Sequence, residues 1–136
     1  MKMPKIKRVH HVAVVVEDIE SALSFWRDLL GLPLSEIRDV SVQQTRVAFL
    51  SPGGTEIELV KPTTGDSGVA RFLAKRGPGM HHLSLEVDDL ESLLVRLKAG
   101  GVRLVNETPR VNAAGKKYVF VHPDSTGGVL LEMSEE

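Results

Sequence analysis

Four of the five histidines in this 136-residue chain come as two adjacent pairs, His10-His11 and His81-His82, and each pair opens an alternating run rich in apolar residues. Neutral imidazole binds borderline divalent ions, so a histidine on a strand is a candidate metal ligand. Two glutamates occupy matched settings, because Gly53-Gly54-Thr55-Glu56-Ile57-Glu58 lines up with Gly127-Gly128-Val129-Leu130-Leu131-Glu132. Side chains alternate along a strand, so His11, Ala13 and Val15 share one face while His10 and Val12 take the other, and His82 and His81 divide in the same way. Two imidazoles and two carboxylates make a two-charge set that suits a divalent ion and leaves positions open for water or substrate. The plainer readings stand beside this one. A lone strand histidine is more often a packing or surface residue, and a glutamate can face outward from an edge strand. Against them, Glu58 between Ile57 and Leu59, and Glu132 within Leu131 and Met133, are costly to bury unless paired or metal-bound.

The elements that must position these groups follow from a duplication. Sliding VHHVAVVVEDIESAL (Val9 to Leu23) by 71 positions, the spacing of His11 and His82, sets it on MHHLSLEVDDLESLL (Met80 to Leu94), with seven of fifteen columns identical. A repeat of this kind fixes architecture ahead of any local propensity. In each copy a strand (His10 to Val16, His81 to Val87) runs into an acidic cluster that favours a helix N-terminus. Ile19, Leu23, Trp26 and Leu30 then keep helical spacing up to Gly31, and Leu90, Leu94 and Leu97 do so before Gly100-Gly101. Three strands follow in the first copy, Leu34 to Ile37, Gln43 to Leu50 and Glu56 to Val60, with a turn at Ser51-Pro52-Gly53-Gly54. The second copy is expected to give Arg103 to Val105, Lys117 to Val121 and Val129 to Met133, with turns at Ala113-Ala114-Gly115 and Asp124 to Gly128. The modules span about 8–62 and 79–134 of one domain, joined by a linker helix over about 66–77.

Composition narrows the class of partner. An apolar fraction of 42%, a charged fraction of 26% and a net charge of −1 describe an ordinary globular chain without the basic face that nucleic acid or an anionic membrane requires. The expected partner is a small molecule. With no cysteine, disulfides, thiolate sites and cysteine nucleophiles are excluded. The start, Met1-Lys2-Met3-Pro4-Lys5-Ile6-Lys7-Arg8, is basic, but Val12 to Val16 is too short for a signal core, so a cytoplasmic protein is expected.

At these residues the chain resembles the vicinal oxygen chelate superfamily of glyoxalases, bleomycin resistance proteins and dioxygenases, and within it the methylmalonyl-CoA epimerase family. The resemblance is carried by His11-Val12-Ala13-Val14, Val47-Ala48-Phe49-Leu50, Ile57-Glu58-Leu59, the stretch Phe72 to His82, Gly115-Lys116-Lys117, His122-Pro123 and Ser125 to Glu132. It implies an α+β fold of two tandem βαβββ modules forming a curved mixed sheet around a metal site, with His11, Glu58, His82 and Glu132 as ligands. Part of the family has Gln at the position of Glu58, where a carboxylate lowers the net charge of the site. The implied reaction inverts C2 of methylmalonyl-CoA by removing and returning one proton, with an ion such as cobalt or manganese, or else zinc, nickel or magnesium, stabilising the enolate. Inversion needs proton access on both faces of the carbon. Val47 stands where some relatives carry a catalytic Glu, so Glu36 in the preceding strand is the substitute candidate, and Glu132 serves as both ligand and proton carrier.

Gln43 and His122 are candidates to line the pocket, and Arg110, Lys116 and Lys117 to meet the phosphates of an acyl-CoA substrate. A homodimer is expected. The competing readings are a glyoxalase I-type lactoylglutathione lyase, a metal-free antibiotic-binding module and, less well matched to a second carboxylate, an extradiol dioxygenase.

Overall fold

The computed structural model describes residues 3–112 and 114–135. Met1 and Lys2 of the basic start, and Ala113 of the expected 113–115 turn, lie outside the described residues. The chain forms two compact units, one of His11–His81 and one of His82–Glu136 with Met1–His10. The boundaries fall inside β1 (Ile6–Val15) and β5 (Gly79–Val87).

In the unit His11–His81 the strand order is β2-β3-β4-β1, where β2 is Leu34–Val40, β3 is Thr45–Gly53 and β4 is Thr55–Pro62. β3 runs antiparallel to both β2 and β4, and β1 pairs parallel with β4. Strand alternation gives this sheet two apolar faces. On one, Ala48, Leu50 and Leu59 meet Val16 and, from the first helical segment, Ile19 and Leu23; on the other, Ala13, Val47, Phe49 and Val60 gather with Val69. Full burial of a residue such as Leu23 stabilises by about 1.5–3 kcal/mol. Helix α1 (Ile19–Leu23) starts where the Asp18 carboxylate accepts the Ser21 N–H at 2.9 Å. Helix α2 (Gly68–Arg76) starts at Ser67, whose Oγ accepts the Ala70 N–H, and stops at Gly77, whose φ of 78° a glycine adopts without a Cβ clash.

The second unit repeats the plan with the order β5-β8-β7-β6, where β6 is Arg110–Val111, β7 is Lys117–Val121 and β8 is Leu131–Glu135. β5 and β8 are parallel, and the other pairs antiparallel. Helix α3 (Leu90–Ala99) starts at Asp89 and buries Leu90 and Leu94 against Leu104, Val119, Val121 and Met133. The amino-terminal residues belong here, and Lys5 and Asp88 exchange two hydrogen bonds, the Lys5 N–H reaching Asp88 Oδ1 at 2.8 Å.

Four expectations about element boundaries are corrected. The first helix does not continue to Leu30 in α form. After Leu23 the chain takes a wider π turn over Ser24–Leu29, with the Leu30 N–H donating to the Phe25 carbonyl at 2.8 Å. The extra residue in that ring rotates Leu29 and Leu30 away from the core, leaving both exposed while Trp26 still packs. β3 begins at Thr45 rather than Gln43, because Ser41–Gln43 form a 3₁₀ turn closed by Gln44 with φ 56°. Residues 103–105 make only one bridge, Leu104 to Val121, since the Asn106 side chain takes the Phe120 N–H that a longer ladder would use. The edge strand is Arg110–Val111 instead. β8 begins at Leu131 because the Thr126 hydroxyl bonds both the N–H and the carbonyl of Val129.

Candidate metal and acid–base site

In the unit His11–His81, three neighbouring strands place Phe49, Glu58 and Ala13 in one row, since Phe49 pairs with Glu58 and Glu58 with Ala13. His11 lies two residues before Ala13 and therefore faces the same way. Its Nδ1 is 3.3 Å from Glu58 Oε2, and both side chains are largely sheltered, at 11% and 15% exposure. The adjacent row, Val47, Val60 and Val15, is fully apolar and buried.

Edge strand β2 adds two charged groups to this face through a bulge. Leu34 pairs with Leu50 but Glu36 pairs with Phe49, so Ser35 is an extra residue, and its Oγ donates to the Phe49 carbonyl at 3.0 Å. Uninterrupted alternation from Leu34 would send Glu36 to the helix side; the bulge turns it to the side of Glu58. Arg38 follows on the same face, its guanidinium 4.7 Å from the Phe49 ring centroid and its Nη1 3.4 Å from Glu36 Oε1. The candidate base Glu36 thus stands on the same face as Glu58, beside a positive charge and half exposed.

The second unit builds the corresponding row from Phe120, Glu132 and Ser84. His82 lies two residues before Ser84. Its Nε2 is 3.7 Å from Glu132 Oε1, both side chains are 14% exposed, and its ring meets Phe120 edge-on at 5.4 Å. The next row is Tyr118, Ser134 and Glu86. Glu86 is buried and held by Arg8 Nε at 3.1 Å and Lys7 Nζ at 3.8 Å.

The donor chemistry fits a divalent ion. Two ligand atoms each about 2.0–2.2 Å from one ion lie roughly 3–3.5 Å apart, close to the spacing within each His–Glu pair. Each pair offers one imidazole nitrogen and one carboxylate oxygen, and the Phe row holds the His82 ring against free rotation.

Other sequence candidates fall elsewhere. Gln43 is exposed in the 3₁₀ turn before β3, and so does not belong to the strand face. His122 caps the 3₁₀ turn Pro123–Ser125, its Nδ1 accepting the Asp124 N–H at 3.0 Å, a structural role at the chain reversal. Lys117 lies 3.4 Å from Glu91, Lys116 follows a turn whose N–H groups the Asn112 side chain accepts, and Arg110 pairs across from Tyr118 on the edge. A depression of about 320 Å³ lined by Asp18, Ile19, Glu20, Ile37, Arg46 and Lys61 opens on the helix side of the first sheet, the side away from His11 and Glu58. It contains no imidazole. Sequence reasoning missed Phe49 and Phe120, although both obey the same 71-residue shift as the histidines, and it missed Arg38, Ser84 and Glu86, whose facing depends on register.

The glyoxalase/bleomycin resistance protein/dioxygenase superfamily model matches residues 10–120. The mitochondrial methylmalonyl-CoA epimerase of Mus musculus is 39% identical over 96% of this chain and 74% of its own length. The crystal structure of methylmalonyl-CoA epimerase from Mycobacterium tuberculosis superposes with a TM-score of 0.85 at 37% identity, covering 96% of this chain and 88% of that one. A methylmalonyl-CoA epimerase solved in complex with methylmalonyl-CoA and NH4+ superposes equally well, with a TM-score of 0.85 at 29% identity over 97% and 96% of the two chains. With its duplicated His–Glu frame and likeness across nearly its whole length, the chain belongs to the methylmalonyl-CoA epimerase family of the glyoxalase/bleomycin resistance/dioxygenase superfamily.

Proposed function

We propose that this protein interconverts the two C2 epimers of methylmalonyl-CoA, with His11, Glu58, His82 and Glu132 together holding one divalent ion. The observation that carries the reading is the His–Glu pair built twice, at repeat-related positions, in a chain of the epimerase family. Such an ion supplies Lewis-acid polarisation of substrate oxygens, which stabilises negative charge as it develops.

The residues then divide the remaining work. A carboxylate takes the C2 proton, the C–H electron pair delocalises onto the thioester oxygen, and a protonated carboxyl on the other side returns a proton to C2 with inversion. Glu132 and Glu36 are the two carriers in this reading. Phe49 and Phe120 furnish apolar surface that keeps water from the carbanionic carbon. Val47, Val60 and Val15 wall off the space behind Glu58 in the same manner.

The test is proton exchange at C2 of methylmalonyl-CoA in heavy water, followed by NMR, with protein stripped of metal and then resupplied with cobalt or manganese. Metal-dependent exchange with interconversion of the epimers is expected. No exchange with any divalent ion overturns the reading and makes a glutathione thiohemiacetal the next substrate to try. The cytoplasmic setting and the homodimer belong to the same reading, and sedimentation velocity checks the dimer. Among the described residues no helix is long and apolar enough to cross a membrane.

A further inference from the structure

The two His–Glu rows differ at the residue beside the carboxylate, Ala13 next to Glu58 but Ser84 next to Glu132. Ser84 is wholly buried, and its Oγ has no hydrogen-bond partner among the described residues. An unsatisfied hydroxyl is costly in a native interior, and each such case calls for an explanation. Thr45 Oγ1 is buried and unpartnered as well, but it pairs across from Val40 and Pro62, away from any candidate ligand. Ser84 is different in its neighbours. The parallel register puts it directly across from Glu132, on the face it shares with His82, and Glu132 turns Oε1 to within 3.7 Å of His82 Nε2.

We propose that Ser84 is a positioning residue whose hydroxyl, unpartnered without the ion, turns to donate to the Glu132 carboxylate when the ion is bound and so fixes which oxygen that residue offers to it. This rests on the metal reading above. A carboxylate that ligates through one oxygen leaves the other in need of a donor, and outer-shell donors of this kind orient the ligand and raise affinity. Ala13 gives Glu58 no such donor.

The full-length protein and its Ser84→Ala and Ser84→Cys variants are stripped of metal, melted as apoproteins, and titrated with Co²⁺ against a competing chelator while the visible spectrum of bound Co²⁺ is recorded. Both variants are expected to bind Co²⁺ about tenfold or more weakly, with an altered spectrum. The Ala apoprotein should melt no lower than wild type, since it loses only an unpaired hydroxyl. Affinity within twofold of wild type in both variants overturns the proposal. So does a lowered apo melting temperature with unchanged affinity, which is the signature of a packing role. If wild type takes up no Co²⁺, the metal reading falls and this proposal with it; if wild type binds and both variants match it, only the role of Ser84 falls.

Discussion

The two units share a backbone plan and differ in what they hang on it. Their first rows are Phe49, Glu58 and Ala13 against Phe120, Glu132 and Ser84; their second rows are Val47, Val60 and Val15 against Tyr118, Ser134 and Glu86. Every position that departs from the shared His, Phe and Glu changes from apolar in the first unit to polar in the second. Duplication has preserved register, ring and carboxylate, while one copy became an apolar wall and the other a store of polar groups. Symmetry in the fold therefore does not mean symmetry in the chemistry.

Substitutions at the shared His and Glu positions probe that statement most severely. His82→Ala and Glu132→Ala are expected to lower turnover by at least about 100-fold, beyond what losing an outer-shell partner costs, with the far-UV circular dichroism of the wild type. His11→Ala should do the same. Glu58→Gln should cost less than tenfold, because an amide oxygen can still ligate and the apolar row behind it offers no donor to rearrange. Equal losses in Glu58→Gln and Glu132→Gln, by the C2 exchange assay, would break the asymmetry.

The rings separate the units next. Phe120→Leu frees the His82 imidazole and should weaken metal binding severalfold, whereas Phe49→Leu frees Arg38 and should leave metal affinity alone. Chelator competition reads both. For stability, Arg8→Ala leaves Glu86 buried with only Lys7 at 3.8 Å and is expected to cost about 1–3 kcal/mol in urea unfolding. Glu86→Val, which copies the apolar row of the other unit, should be close to neutral, since Arg8 and Lys7 are half exposed and can turn to water.

The smallest effect concerns the helix starts, which the two units share. The Ser21 backbone N–H holds the Asp18 carboxyl below its usual 3.8, and the Ser92 hydroxyl does the same for Asp89. A carboxylate whose folded value lies below its unfolded one adds stability that is present above the unfolded value and lost as pH falls through the folded one. Thermal melts of wild type should therefore lose stability below about pH 4, and Asp18→Asn with Asp89→Asn should flatten that fall while lowering the melting temperature slightly at pH 7.

The repeat, the His–Glu correspondence and seven of the eight strands were legible because they rest on periodicity and spacing. What periodicity could not reveal was decided by single side chains competing for backbone groups. Asn106 ends a ladder at residue 104, and Thr126 delays β8 by two residues. The π turn after Leu23 leaves a helical pattern intact in the sequence while Leu30 leaves the core. Ser84, Glu86 and Arg38 stayed hidden because their meaning lies in what stands across from them.

Ser35 has a consequence for how β2 tolerates changes of length. Leu34 already matches Leu50 and Glu36 already matches Phe49, so removing the residue between them would join two correctly phased segments into an unbroken ladder. Loss of one residue here is silent, whereas loss of one at Ile37 or Arg38 would exchange the inside and outside of everything beyond it. The bulge is a spare tooth in the gearing between β2 and β3, and its removal leaves Glu36 across from Phe49.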